Sequence, residues 1–255
     1  MLVPASQALW AQVSQELIRS SVDYCRGYQP APASEPRLSV HISDDKTILC
    51  YDGVIYADED ISTIHELRNG GIFVIRSRGG IPASATKIAN ILESKMATVV
   101  VRDYCMSACA AFLYIATART YVVRHSVVAW HAPNYQAPLC DGLIGSSQKV
   151  KSWLDLPAEL REQYCAFWAL QASFFGKRGA VPDVLFSTKS TSVARQLVRL
   201  ADRGVDINQL FWMWHPRYHQ DIFTTKVTYE SYPREQYEVD EIARTFGLSK
   251  IIYDP

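Results

Sequence analysis

The sequence predicts an α/β fold in which parallel strands alternate with helices. The runs Ile72 to Ile75 and ATVVV at 97–101 are apolar without alternation, which is typical of strands buried on both faces of a parallel sheet. A helix over 82–95 lies between them and begins with Pro82, a residue that the first turn of a helix accepts at no cost. Strand–helix alternation of this kind implies parallel strands joined by right-handed crossovers.

The other elements are predicted from helical spacing, strand-like runs and turn residues. They are, in chain order, an N-terminal helix over 5–24, an extended linker over 28–37, one or two strands over 46–56, a helix over 57–69, a buried apolar helix over 107–117, two short strands over 120–130, a loop over 134–149, helices over 157–176 and 188–205, and a helix, glycine stop and strand over 239–253. The aromatic segment 211–223 is a lid, an oligomer contact or part of the core. We expect an N-terminal helix and linker over 1–45 and an α/β domain over 46–255, with a helical and aromatic insertion at about 134–232 before the C-terminal helix.

Composition and charge exclude several classes of protein. The chain has 255 residues, of which 48% are apolar and 20% charged, as expected for one ordinary globular domain with additions. Its 26 basic and 26 acidic residues balance, so nothing favours binding to nucleic acid or to an anionic membrane. The longest stretch of almost wholly apolar residues, Ala108 to Ala118, is shorter than the roughly 18 residues of a membrane span. We therefore predict no nucleic-acid partner and no integral membrane segment.

The six cysteines bear on the cellular compartment. An even number favours disulfides and an oxidising environment, although their pairing is left open by the sequence. No Cys-x-x-Cys spacing occurs, and we predict neither a metal nor a cofactor. The N-terminal stretch lacks the basic start and long apolar core of an intact signal peptide, but it suits a mature start after cleavage. The prediction is a periplasmic or otherwise exported protein, with a cytoplasmic location as the alternative.

Three pieces of sequence carry candidate chemistry. Ser107 follows a buried strand and precedes an apolar helix, where a serine either caps the helix or acts as a nucleophile with the Ala108 N–H directed at a developing oxyanion. Gly79 and Gly80 follow the preceding strand, and they either form a simple tight turn or expose backbone N–H groups to a cleft. Both turns fall at the carboxyl ends of parallel strands, where open α/β sheets bind ligands.

His131 is the third piece, at the end of the strand SVVAW. A histidine at a strand end is often structural, but this strand should end on the same side of the sheet as Ser107. An imidazole there is placed to accept the serine proton and return it to a leaving group. The other five histidines are less well placed to act as the base. They are His41, His65, His125, His215 and His219, of which the last two are the fallback candidates.

Taken together, SRGG, CMSACA and AWHAP resemble, in this order and at similar spacing, the motifs of the proteolytic subunit of Clp protease and the wider ClpP/crotonase fold. The resemblance covers 47–133 and resumes at 235–253. It implies a spiral of parallel β-strands and helices, Ser107 as nucleophile, His131 as base, and the N–H groups of Gly80 and Ala108 as the oxyanion hole. The Cys-x-Ser-Ala-Cys pattern further resembles Clp-like proteins that are predicted to be exported to the bacterial periplasm.

The chain also departs from the family pattern. The third catalytic residue should be an acid before the closing helix; counting back from Gly247 places it at Glu235, with Glu230 and Asp240 as alternatives. Roughly 100 residues separate this region from His131, which is an insertion relative to the compact family pattern. The segment that docks an unfoldase is unrecognisable, so we predict no ATPase partner.

These observations favour a serine hydrolase of the peptidase type that acts on a peptide or protein substrate, and the resemblance implies a homo-oligomer. Three alternatives stay open. One is a crotonase-type acyl-CoA enzyme, although no basic cluster is placed to hold the phosphates. Another is a binding or assembly protein that has kept the fold without the chemistry. The third is a cysteine nucleophile at Cys105 or Cys109.

Overall fold

The structure is a computed structural model that describes residues 13–28, 39–57, 61–131, 157–179, 188–205 and 210–255. It has a mixed α/β fold with a mostly parallel central sheet, which confirms the predicted class. The helices are α1 (Gln15–Gly27), α2 (Ser62–Glu66), α3 (Pro82–Ser94), a π-helix (Cys109–Leu113), α4 (Ala158–Gly176), α5 (Thr191–Asp202), a 3₁₀ turn (Pro216–Tyr218), α6 (His219–Ile222) and α7 (Gln236–Thr245). The strands are β1 (Ser39–Ile42), β2 (Ile48–Asp52), β3 (Ile72–Ser77), β4 (Thr98–Met106), β5 (Arg119–Val122), β6 (Val127–Ala129), β7 (Phe211–Trp214), β8 (Lys226–Tyr229) and β9 (Ile251–Asp254).

The main sheet has the order β1-β2-β3-β4-β5-β8. Only β1 runs antiparallel to its neighbour, and α3 provides the predicted crossover from β3 to β4. The predicted boundary between the N-terminal segment and the α/β domain, between residues 45 and 46, lies in the turn of the hairpin formed by β1 and β2. Strand β8, which lies in the predicted insertion, pairs in parallel with β5 and extends the sheet at that edge.

Strand β4 changes partner halfway along its length. Its first half, Val99–Val101, pairs with β5, and its second half, Tyr104–Met106, pairs with β6. Between the halves Asp103 has φ 60°, and the register with β3 shifts between Ile75 and Ser77. The strand therefore bends at Asp103, and its carboxyl end leaves the plane of the main sheet in the company of β6.

A buried ion network lies at this bend. The Arg76 guanidinium donates to both carboxylate oxygens of Asp52 at 2.7 and 2.6 Å. Arg102, a residue only 1% exposed, donates through its guanidinium to Asp52 and to Asp103 at 2.9 Å each. Because a buried charge without a partner is costly, the two carboxylates and two guanidinium groups fix the relative positions of β2, β3 and β4 at the bend.

Helix α1 packs on the face of the sheet that carries Val74 and Val100. The Ser14 hydroxyl accepts the backbone N–H of Leu17 at 3.1 Å and caps the helix, which runs from Gln15 to Gly27. A disulfide between Cys25 and Cys50 joins the helix to β2. The earlier part of the predicted helix, 5–12, and most of the predicted linker lie outside the described residues.

The aromatic segment 211–223 is part of the core. Strand β7 pairs in parallel with β9, and a bridge between Trp130 and Trp212 joins β7 to β6. The rings of Trp130 and Trp214 stack with their centroids 4.3 Å apart, and both are fully buried. This pairing supports the far side of β6. The predicted loop over 134–149 lies outside the described residues.

A fully buried histidine lies beside these tryptophans. The Nδ1 atom of His219 lies 2.6 Å from the Tyr114 hydroxyl and also contacts the hydroxyl of Tyr229. Burial lowers the pKa of His219 from 6.5 to about 3, so the ring is neutral in the folded protein at ordinary pH. Between about pH 6.5 and 3, His219 is therefore protonated in the unfolded chain and neutral in the folded protein.

This difference predicts acid sensitivity. As pH falls below 6.5, the unfolded chain binds a proton at His219 and the folded chain does not until about pH 3, so the free energy of unfolding decreases by about 1.4 kcal/mol per pH unit between pH 6 and 4. In His219→Asn, an amide oxygen replaces Nδ1 as acceptor and nothing titrates. We expect a lower stability at pH 7 but a slope reduced by about that amount in urea unfolding measured from pH 4 to 7. Tyr229→Phe should lose stability and keep the wild-type slope; identical slopes for His219→Asn and wild type would contradict the assignment.

Candidate active site

Ser107 lies in the sharp turn between β4 and the π-helix, with φ 54°. Its backbone is fixed on both sides, because its N–H donates to the Ala129 carbonyl at 3.0 Å and its carbonyl accepts from the Ala111 N–H at 2.9 Å. Ala108 occupies the position before the π-helix, and no side chain caps that helix. The Ser107 hydroxyl is therefore not used as a helix cap, which was the structural alternative for this residue.

The Ser107 hydroxyl instead meets His131. The distance from Ser107 Oγ to His131 Nε2 is 2.7 Å, a normal hydrogen-bond length. The two residues meet because β4 and β6 are parallel neighbours that end at the same level, with Met106 opposite Ala129. Ser107 follows the last residue of β4 directly, and one residue, Trp130, separates His131 from the end of β6. The structure thus brings together the two side chains that the sequence suggested as nucleophile and base.

The glycine turn after β3 packs against the Ser107 turn. Gly79 and Gly80 have φ values of 91° and 141°, which side chains rarely tolerate. A Cβ atom on Gly79 would lie 2.5 Å from the Met106 carbonyl oxygen, 2.6 Å from Ser107 Cβ and 2.8 Å from the Ala108 nitrogen. A Cβ atom on Gly80 would lie 2.1 Å from the Ile55 carbonyl oxygen. Glycine is required at both positions because the backbone of a neighbouring turn occupies the space of a side chain.

Two backbone N–H groups belong to the turns that pack together at Ser107. Among the described residues, neither the Gly80 N–H nor the Ala108 N–H donates to a backbone carbonyl. The turn that presents Gly80 is held in place, since the Gly79 N–H donates to Ser77 Oγ at 3.0 Å and the Ile55 N–H donates to the Gly79 carbonyl at 2.9 Å. A pre-positioned pair of N–H groups of this kind can stabilise negative charge on a bound oxygen.

The expected acid does not reach His131. Glu235 is exposed and caps α7, where its carboxylate accepts the Glu238 N–H and the Glu238 side chain accepts the Glu235 N–H at 3.2 Å. Glu230 pairs with Arg19 at 2.6 Å. Asp240 accepts from Gln236 at 2.9 Å. The sequence placed Glu235 before the closing helix, and in the structure its carboxylate caps that helix, which begins at Gln236.

The fallback bases are also engaged elsewhere. His215 accepts the Arg217 N–H at 3.1 Å through Nδ1. His219 is enclosed with Tyr114, as described above. His41 lies 2.8 Å from the Tyr24 hydroxyl, at the outer edge of the sheet. His131 is the histidine that the fold places at Ser107.

The cysteine pairing was not predicted from the sequence. Cys105 and Cys109 form a disulfide that spans Ser107, and both are completely buried. They are bonded to each other, so neither is the free thiol that a cysteine nucleophile would require. Cys165 is also disulfide-bonded, and the part of the chain that the structure describes contains no free cysteine. These bonds are compatible with an exported protein.

No cluster of His, Cys, Asp and Glu that could hold a metal ion occurs among the residues with described positions. In the same part of the chain, none of the helices combines the length and apolar character that crossing a bilayer demands. Searches against protein-family models and against curated proteins find no match to this chain.

The contact at Gly79 gives a direct test of the site geometry. We expect Gly79→Ala to lower the free energy of unfolding by about 3 kcal/mol or more. The added methyl group would clash with the backbone at Met106 and Ala108, and alanine would also have to adopt the positive φ of this position. Gly70→Ala is the matched control, since Gly70 has φ 75° and nothing within 4 Å of an added Cβ. It should cost only about 1 kcal/mol in urea unfolding. Equal losses of unfolding free energy in the two variants would show that the Gly79 turn does not contact the Ser107 turn.

Proposed function

We propose that this chain is a serine hydrolase that cleaves peptide bonds, with Ser107 as the nucleophile and His131 as the general base. The observation that carries the proposal is the 2.7 Å hydrogen bond between Ser107 Oγ and His131 Nε2. A serine hydroxyl is a weak nucleophile unless a base within hydrogen-bonding distance accepts its proton as it attacks. A neutral imidazole at Nε2 is suited to this role near neutral pH.

The reaction follows from the positions of these groups. Ser107 Oγ attacks the carbonyl carbon of the scissile bond while its proton moves to His131 Nε2, which then donates the proton to the leaving amine. Water, deprotonated by the same imidazole, releases the acyl group from Ser107 and restores the hydroxyl.

The oxyanion formed in each step requires donors, and the proposal assigns the Gly80 and Ala108 N–H groups to it. Removing one such donor in a hydrolase typically costs about 10²- to 10³-fold in rate. Support comes from the absence of a backbone acceptor for either group in the described residues and from the close packing of the glycine turn on the Ser107 turn. Neither donor is a side chain, so the sequence signal for them is the pair of glycines and the small residue after the serine.

The conformation of Ser107 supports a catalytic role more than a structural one. A serine with φ 54° is in a left-handed conformation that costs roughly 1–2 kcal/mol relative to the right-handed one. Strained residues of this kind persist where the surrounding structure holds them, and they occur often at active sites. A sharp strand-to-helix turn also lifts the hydroxyl clear of both elements, where a substrate can approach it.

The substrate class, location and family assignment rest on further observations. The motif order around Ser107 resembles the proteolytic subunit of Clp protease, and this resemblance is the basis for a peptide or protein substrate and a ClpP/crotonase-type fold. The disulfides support an exported, periplasmic protein. The homo-oligomer implied by the resemblance stays a prediction.

A fluorophosphonate probe tests the nucleophile and the base. In labelling, Ser107 Oγ forms a bond to phosphorus, fluoride leaves, and the serine proton passes to His131. We expect labelling to be absent in Ser107→Ala and about 10²-fold slower or more in His131→Ala. Ser20→Ala and His65→Ala, at exposed positions on α1 and α2, are the matched controls and should label at the wild-type rate.

Two outcomes would overturn the proposal. Undiminished labelling of Ser107→Ala would remove Ser107 as the nucleophile. A folded wild-type protein that is not labelled at all would instead favour a binding protein or an acyl-CoA enzyme.

The role of Glu235 needs a separate test. Glu235→Gln keeps an oxygen that can cap α7 but removes the charge, so we expect the labelling rate to stay within about 3-fold of wild type, well short of the ~10⁴-fold loss that follows when a true orienting acid becomes an amide. Glu235→Ala should cost about 1 kcal/mol in stability through the lost cap, again with little change in rate. A loss of 100-fold or more in Glu235→Gln at unchanged stability would establish Glu235 as the orienting acid.

A further inference from the structure

We infer that the Cys105–Cys109 disulfide is the positioning element of the Ser107 turn, so that the nucleophile is assembled only once these two thiols have been oxidised. The inference rests on the proposed function, because it concerns the same serine. It rests also on where the bond lies, since Cys105 is in β4, Cys109 begins the π-helix and Ser107 is midway between them.

The bond restricts the backbone around Ser107. The Cα atoms of Cys105 and Cys109 are 5.2 Å apart. Four residues of continuous strand would separate them by about 13 Å, so the cross-link excludes extended conformations between the two cysteines. The chain must reverse within three residues, and Ser107 is the residue whose φ of 54° makes that reversal. Without the bond, the turn loses a constraint that opposes the return of Ser107 to an unstrained conformation.

The disulfide acts together with a small number of other contacts at this turn. The Ser107 N–H and carbonyl are held by single hydrogen bonds to Ala129 and Ala111, and the Ser107 hydroxyl is committed to His131. Neither the hydroxyl nor a side-chain cap stabilises the start of the π-helix. A displacement of about 1 Å at a reacting atom is sufficient to reduce a rate by about 10²-fold. The effect of losing the bond should therefore be on the rate of the chemical step.

The second disulfide offers a matched control. Cys25–Cys50 spans 25 positions of sequence and joins α1 to β2, and Cys105–Cys109 spans four. Loop-closure entropy makes the longer cross-link the larger contributor to stability. Loss of Cys25–Cys50 should therefore lower the melting temperature, and loss of Cys105–Cys109 should lower the labelling rate of Ser107.

The oxidation is balanced with a disulfide oxidant such as glutathione disulfide. Cys105 and Cys109 together give up two protons and two electrons and form one sulfur–sulfur bond. Glutathione disulfide takes up both and becomes two molecules of glutathione. Both sulfur atoms are buried in the folded protein, so this exchange belongs to folding and the reverse reaction requires partial unfolding.

The experiment compares fluorophosphonate labelling of the full chain in three forms: wild type, Cys105→Ala/Cys109→Ala and Cys25→Ala/Cys50→Ala. We expect the maximal labelling rate of Cys105→Ala/Cys109→Ala to fall about 10²-fold while the concentration of probe giving half that rate stays within about 3-fold. Cys25→Ala/Cys50→Ala should melt at a lower temperature than wild type and label at the wild-type rate.

A second measurement removes any effect of the cavity left by alanine. Wild-type protein refolded under reducing conditions keeps both cysteine side chains but lacks every disulfide, Cys25–Cys50 included. It should label as slowly as Cys105→Ala/Cys109→Ala until glutathione disulfide restores the rate. Reduction should not slow Cys105→Ala/Cys109→Ala further. Equal labelling of wild type and Cys105→Ala/Cys109→Ala, or equal labelling of reduced and oxidised wild type, would overturn the inference and leave the proposed function intact. Absence of labelling in oxidised wild type would instead overturn the proposed function and this inference with it.

Discussion

The pairing of the second half of β4 with β6 is the interaction on which the site depends. These two short segments are parallel neighbours, with Met106 opposite Ala129, and both end at the same level. Ser107 directly follows Met106, and His131 lies two residues after Ala129, the end of β6. A hydroxyl and an imidazole that are 24 positions apart in sequence therefore meet at 2.7 Å without any long loop having to position either of them. Precision of this kind comes from strand register, which changes in steps of a whole residue.

This pairing exists because β4 bends. The first half of this nine-residue strand pairs with the four-residue strand β5, and the bend directs the second half to β6. The bend at Asp103 is enclosed by Arg76, Arg102 and Asp52, three charged groups that the sequence places on three different strands. Replacing buried ion pairs by apolar residues is often neutral for stability, so the network is better understood as specifying one geometry than as strengthening the fold. On the far side, β6 is held by its bridge to β7 and by the stacked tryptophans Trp130 and Trp214.

The sequence was informative where the signal is local and incomplete where it depends on partners distant in the chain. The unbroken apolar runs predicted β3 and the first half of β4, and Pro82 marked the start of α3, because burial on both faces and helix entry leave local signatures. The change of partner within β4 left no such signature, since Asp103 is a polar residue in a strand and could equally mark its end. The pairing of β7 with β9 was missed for the same reason, and the aromatic residues of 211–223 fit a lid or a core equally well until their neighbours are known.

At the site, too, local signals were readable from the sequence, and features that depend on distant partners were not. Ser107, His131 and the glycine pair could be found because each follows a recognisable strand, and the ends of parallel strands share one edge of the sheet. Glu235 could not be assigned, because its position before a helix predicts a cap as well as it predicts an acid, and sequence distance says nothing about which partner it takes. The two cysteines around Ser107 show a further limit. A spacing of four leaves their partners open, and the reversal of the chain at Ser107 brings the sulfur atoms together. The same reversal that places the hydroxyl at His131 also closes the disulfide, so the conformation of one residue accounts for both.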